Sequence, residues 1–171
     1  MSRGVLQIAV VLFALSVAGC TTPSQTMLVP HRDDGRPATV DPAEAVKLVN
    51  AFRAGRGLPG LALDPRLTAI AAAHAGAMAR QARLAHVLPG EKSFAVRLSA
   101  GGFAADVAVE NIGAGYHDLA EAFSGWRASP HHRDNMLDRR VTLMGIAVAH
   151  SADGRFGDYW SMVLAAPETP R

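Results

Sequence analysis

From residue 41 to residue 128 the apolar positions recur every three or four residues, with polar positions between them. That is the period of amphipathic helices. Asp41 is a suitable N-cap, Pro42 suits the first helical position and Glu44 completes a capping box, so a first helix begins there. Ala45, Leu48, Val49 and Phe52 share one face of it, and Gly55 and Gly57 stop it. A short apolar run, Leu61-Ala62-Leu63, follows. Asp64-Pro65 repeats the cap-plus-proline signal and starts a second helix to about Arg83. Its inner face carries Leu67, Ile70, Ala71, His74 and Met78, which makes His74 a core histidine. Ser93 to Ala100 reads as a short third helix with Phe94 and Leu98 inward, ended by Gly101-Gly102. Val107-Ala108-Val109 is short and apolar ahead of Glu110. Asp118 to Ala128 presents Leu119, Phe123 and Trp126 on a fourth helix. After Asn135 the pattern changes: Thr142–Ala149 and Tyr159–Ala165 read as strands joined by an Asp153-Gly154 turn. Helices first and paired strands last predict an α+β fold with helices packed on a small antiparallel sheet.

The first residues follow a different logic. Arg3 gives a basic start, Val5 to Val17 is an apolar run interrupted by Gln7, and small residues lead into Cys20. Such a run is a secretory signal and is too short for a membrane span. Val17-Ala18-Gly19-Cys20 resembles the lipobox of bacterial lipoproteins, in which the cysteine is lipidated and becomes the first residue of the mature chain. That resemblance implies a signal over 1–19 and a membrane partner reached through acylated Cys20. The location it implies is the cell envelope, outside the cytoplasm. The threonines after Cys20 resemble the pattern sorted to the outer membrane in Gram-negative organisms. Cys20 is the chain's single cysteine, so no intramolecular disulfide is available, and acylation accounts for a lone thiol on an exported chain. Residues 20–40, with Pro23, Pro30, Gly35 and Pro37, read as a flexible tether. Residues 41–167 make one domain, large enough for a core without disulfides.

Composition narrows the classes further. Aromatics are 6% of the chain and hydrophobic residues 49%, so the core is predicted to be helical and packed with small side chains. Seventeen basic residues stand against fifteen acidic ones, and no basic cluster marks a nucleic-acid partner.

Three segments carry candidate chemistry: Leu84-Ala85-His86, Val109-Glu110-Asn111-Ile112-Gly113 and Ser129-Pro130-His131-His132-Arg133-Asp134-Asn135-Met136-Leu137. They are too far apart for a local helical site, so the fold must gather them. Two imidazoles and one carboxylate allow three readings. His86, Glu110 and His132 can hold zinc through three protein ligands with an open fourth position for water. Without metal, a Glu110–histidine hydrogen bond fixes a tautomer and raises the ring's basicity, which suits hydrolysis. Or His132 and Glu110 simply pin loops to the sheet. Ser129-Pro130 reads as a helix stop, Asn111 and Asn135 as partners of loop backbone, Arg133 as an ion-pair or surface residue, and Trp126 as core. His131 is placed beside the cleft and His117 near the start of the fourth helix.

Taken in order, Asn50-Ala51-Phe52-Arg53, Leu61 to Leu67, His86, Glu110-Asn111-Ile112, Trp126 to Leu137, Met144 to Val148 and Tyr159-Trp160 resemble the CAP superfamily of cysteine-rich secretory, antigen 5 and pathogenesis-related proteins. The likeness is to its short, cysteine-poor bacterial branch and covers about Ala43 to Ala165. It implies a three-layer α-β-α sandwich whose cleft gathers two histidines and two acidic residues. Residue by residue, His86, Glu110 and His132 match three of the four. The second glutamate's place is Ser129, and His131 stands where a glycine usually precedes the second histidine. The resemblance implies a binding module for a lipid, peptide or envelope ligand, with a metal-assisted hydrolase acting on peptide or envelope substrates as the alternative.

Overall fold

The computed structural model describes residues 36–152 and 155–169. The expected signal, Cys20 and the tether as far as residue 35 lie outside the described residues, as does the Asp153-Gly154 turn. Five helices and four strands follow in the order α1 (Pro42–Ala54), β1 (Ala62–Leu63), α2 (Pro65–Arg80), α3 (Phe94–Ala100), β2 (Ala105–Ala114), α4 (Leu119–Ala128), α5 (Pro130–Met136), β3 (Leu143–His150) and β4 (Asp158–Pro167).

The helix starts are local chemistry. Asp41 accepts from the Ala43 N–H at 2.8 Å, and Asp64 accepts from Arg66 and Leu67 at 2.8 and 3.2 Å. Each side chain satisfies donors that the helix leaves unpaired, and a proline fills the first helical position of both. Asp118 does the same for α4 through Glu121 N at 2.8 Å. Glu121 reaches back to the His117 N–H at 2.9 Å.

The sheet order is β1-β3-β4-β2. β3 and β2 both run antiparallel to β4. Alternation along β4 sends its side chains to two layers. Trp160, Met162 and Leu164 pack with Ala45 and Val49 of α1, Ala122 and Trp126 of α4, and Met136 of α5. Val163 and Ala165 pack with Leu67, Ile70 and Ala71 of α2 and Leu98 of α3. Helices therefore cover both faces of the sheet, which is the expected α-β-α sandwich. β4 is buried along most of its length because it is central and covered on both sides. Where α2 crosses β3, Gly145 permits an unusually close approach. A Cβ there would lie 2.2 Å from the Leu67 carbonyl carbon and the Thr68 nitrogen.

Three expectations change. The sheet is mixed rather than antiparallel throughout, because the two-residue β1 joins β3 in parallel. The Asn50 side chain holds it there by accepting from Leu61 N and donating to Leu61 O, at 2.7 and 2.9 Å. The short apolar run before Glu110 is the middle of a ten-residue strand, so Glu110 and Asn111 sit within β2. Ser129-Pro130 does stop α4, but Pro130 also opens α5 from its first position. At the domain's entrance, Ala38 N donates to Asp158 Oδ1 at 3.2 Å, and Ala38 and Val40 pack against the core. Packing against the core thus includes residues ahead of Asp41.

Candidate functional site

β2 is an edge strand, and its pleat puts Glu110 on the α2 face of the sheet. The carboxylate is almost fully buried, with three bonds at full strength. Arg97 of α3 donates through Nη1 to Oε1 at 2.9 Å and through Nη2 to Oε2 at 3.0 Å. His86 Nδ1 bonds Oε2 at 3.0 Å. Ser161 Oγ adds a longer contact to Oε1 at 3.4 Å. Burial pushes the Glu110 carboxyl up, but the hydrogen bonds from His86 and Arg97 and the charges of His74 and Arg97 outweigh it. The net shift is below the usual carboxylate range.

An ionised carboxylate only accepts, so the proton of this contact belongs to His86 Nδ1. The ring's remaining nitrogen, Nε2, belongs to a side chain that is 54% exposed. The loop bearing His86 is fixed from behind, since Arg97 Nη2 also donates to the His86 carbonyl at 3.0 Å.

His132 arrives from the other layer. Asn111, next to Glu110 on β2, points to the opposite face and donates through Nδ2 to the His132 carbonyl at 2.9 Å. Asn135 Nδ2 in turn donates to Asn111 Oδ1 at 2.8 Å. Asn111 bonds backbone as its sequence context predicts, whereas Asn135 bonds chiefly the Asn111 side chain and reaches the Glu110 carbonyl only at 3.5 Å. The half-buried His132 imidazole is held below the usual histidine range, first by burial and then by the charges of His86 and His131. His86, Glu110 and His132 therefore belong to one region at the β2 edge, with His131 exposed beside it.

Zinc does not fit this arrangement. Both Glu110 oxygens are taken by a guanidinium and an imidazole N–H. Among the described residues no three His, Cys, Asp or Glu side chains are grouped so as to hold a metal ion. A metal would have to displace Arg97 from a buried carboxylate.

Three further residues complete the cluster. His74, read as core, is indeed fully buried, but in polar company: Nδ1 lies 2.9 Å from Glu91 Oε1 and Nε2 lies 3.7 Å from Glu110 Oε2. Arg97 and Glu91 carry no motif in the sequence. The one available signal for Arg97 is its place beside Leu98 on a short helix whose apolar residues face inward. Trp126 is core as expected, and its Nε1–H donates to Ile112 O at 3.0 Å, tying α4 to β2 next to the site. Among the described residues the Arg133 side chain makes an exposed 3.4 Å contact with Asp134.

The comparisons agree with the fold. An extracellular protein containing an SCP domain from Bacillus anthracis superposes with a TM-score of 0.65 at 27% identity, over 72% of this chain and 39% of that one. An outer surface protein of Borrelia burgdorferi superposes with a TM-score of 0.64 at 18% identity, over 78% of this chain and all of that one. A cysteine-rich secretory protein of Staphylococcus aureus gives 0.56 at 20% identity, over 72% and 37%. The chain thus spans about two fifths of the first and third of these proteins. No curated protein matches. Residues 46–164, from α1 to the buried part of β4, match the cysteine-rich secretory protein family, and the chain belongs to that CAP family.

Proposed function

We propose that this CAP domain is an extracytoplasmic binding module. Its cleft at His86 and His132 takes a lipid, peptide or envelope ligand. The observation that carries the reading is the state of Glu110. Its carboxylate is saturated by Arg97 and His86, so it organises the cleft rather than facing it. What the cleft presents is an imidazole with a fixed tautomer, His86, beside a second, largely neutral one, His132. Pre-set donors and acceptors of this kind favour recognition because little order has to be gained on binding.

Titration of the ring signals of His86 and His132 against a peptide library, lipid vesicles and cell-wall fragments tests the reading. One ligand class is expected to shift both rings, and His86→Ala and His132→Ala are expected to lose it. Shifts that avoid both rings for every class would overturn it.

A second reading, metal-independent hydrolysis, has one observation in its favour. His86 is oriented by a carboxylate, and burial first and then neighbouring charge push His132 toward its neutral form, which suits a base role. Turnover of a peptide or envelope substrate in the presence of chelator, lost in His132→Gln, would establish it.

The location rests on the lipobox-like Val17 to Cys20 and on relatives described as extracellular and outer-surface proteins. Lipidation of Cys20 and outer-membrane sorting belong to the same proposal. Labelled palmitate should enter the wild-type chain and not Cys20→Ser.

A further inference from the structure

The chain leaves α2 through Ala82, the only non-glycine residue with positive φ among the described residues, at 47°. Its N–H bonds Ala79 O at 3.2 Å, and the next N–H, on Arg83, bonds Met78 O at 3.0 Å. This pair of bonds closes a helix through a left-handed residue, a place glycine usually takes because it has no Cβ to clash. An alanine there holds strain, and such strain persists only where the surroundings fix it.

Those surroundings are few. Arg83, Leu84, His86 and Val87 are exposed and Ala85 is half-buried, so the segment buries little apolar surface. Its two ends are tied down. Gln81 Nε2 donates to Pro89 O at 3.3 Å across the base. Leu88 is buried, its N–H donates to Glu91 Oε2 at 3.3 Å, and its carbonyl accepts from Glu91 N at 2.9 Å. Beyond the Arg83 cap bond, the hydrogen bonds of residues 83–87 to the rest of the described protein are those of His86, from Nδ1 to Glu110 and from Arg97 Nη2 to its carbonyl. Both end on the Arg97–Glu110 pair, and the pair survives without them. With His86 gone, Arg97 still donates to both Glu110 oxygens, so no buried charge is left bare.

We propose that residues 83–87 form a flap, hinged at Ala82 and Leu88, which opens as a unit and lifts His86 off Glu110. Strain at Ala82 favours the open form, and the two His86 contacts hold the flap shut. The closed form presents both imidazoles of the cleft, and the open form keeps only His132 in place. A ligand held by both rings is released when the flap opens. That consequence rests on the binding reading given above, whereas the hinge does not.

The test compares the ligand-free full chain with Ala82→Gly and Ala82→Val, which change the strain at an exposed position and touch neither histidine. Glycine takes the left-handed conformation freely, and a β-branched residue takes it least readily. The first readout is hydrogen exchange of the Arg83 amide, which loses its Met78 partner when Ala82 relaxes. It is expected to slow about tenfold in Ala82→Gly and to quicken about tenfold in Ala82→Val. The Glu91 amide, beyond the hinge, keeps its wild-type rate. The second readout is relaxation dispersion of the His86 ring. Its exchange contribution should shrink in the glycine variant and grow in the valine one, in one process shared with the amides of residues 83–87. The glycine variant carries the test alone should valine disturb the helix end. An Arg83 rate that follows Ala82 while the His86 ring is indifferent means fraying of α2 and overturns the flap. Equal changes at Arg83 and Glu91, or no change at either, also overturn it. The binding reading stands or falls separately, because no ligand enters this experiment.

Discussion

Glu110 and Asn111 are neighbours on β2 that serve opposite layers of the sandwich. Glu110 takes the guanidinium of α3 and the His86 ring on one face. Asn111 takes the His132 carbonyl of α5 on the other. Because successive side chains of a strand point to opposite faces, two consecutive residues can fix both walls of a cleft at the sheet edge. A slip of one residue in the β2–β4 register would exchange the two and dismantle both walls.

The Arg97–Glu110 pair sets the first expectation. Both side chains are buried, so Arg97→Met leaves a carboxylate in apolar surroundings without its cation. Removing one partner of a buried pair costs about 3–5 kcal/mol, measurable by urea unfolding at neutral pH. The sign with acid follows from Glu110, whose native pKa is depressed. Its contribution is complete above the unfolded carboxyl value, about 4.3, and is lost as pH falls through the lower native one. The gap between wild type and variant should therefore narrow in acid. A constant gap down to low pH would show that the pair carries no charge-linked stability.

His132 gives the opposite kind of pH dependence. Its native pKa is lowered by burial and then by the charges of His86 and His131, so the unfolded chain binds the proton more readily. Above about 6.5 the group contributes nothing, and below that value it progressively destabilises the fold. His132→Gln should remove that part of the slope. By NMR the His132 ring should titrate below a free imidazole, and His86→Ala should move its midpoint upward by removing a like charge.

Two glycines on the α2 side should respond in opposite directions to alanine. At Gly145 the new methyl would meet backbone atoms of Leu67 and Thr68 at 2.2 Å, which only a shift of α2 can relieve. Overpacking typically costs about 1–3 kcal/mol, and rigid backbone on the far side puts this substitution at or above the top of that range. At Gly76 the methyl meets only the end of the Arg80 side chain at 3.2 Å, which can swing aside. Helix propensity then favours alanine by about 0.5–1 kcal/mol. Thermal melts of the two variants should move to either side of wild type.

Asn111→Ala separates the two walls. It leaves the His132 carbonyl and the Asn135 amide without their partner, at about 1–3 kcal/mol for each group that stays buried. The His132 ring signal should broaden or shift while the His86 titration stays as in wild type. Equal disturbance of both histidines would mean the walls are not held independently.

The parts of this fold that were legible in the sequence are those written in neighbouring residues. Asp41-Pro42 and Asp64-Pro65 start helices because cap and first-turn chemistry is local, and Tyr159 to Ala165 reads as strand from its own apolar pattern. His86, Glu110 and His132 stand out because histidine and glutamate at segment ends are conspicuous. Arg97 was not legible. On a seven-residue helix an arginine looks like surface, and its burial comes from a carboxylate thirteen residues on, in a different element. For the same reason, residue types alone suggest zinc: they name ligands without showing that Glu110 is already neutralised. His74 was placed correctly in the interior, but its polar neighbours, Glu91 and Glu110, come from a loop and a strand. Pro130 was half read, since one proline ends the preceding helix and opens the next.

Asp158 accepts from both Ala38 N and His150 Nδ1, at 3.2 and 2.9 Å, at the very start of β4. In mechanical terms this aspartate is where load enters the domain. Tension on the chain at Arg36 reaches Ala38 and passes into the central strand, which is clamped by β3 on one side and β2 on the other. The Ala38–Asp158 contact is part-buried at the head of that strand, while the His86 wall hangs on Arg97 and α3, outside that line of force. A domain loaded in this way passes tension from its N-terminal side into the sheet and leaves the Arg97–His86 contacts off the path.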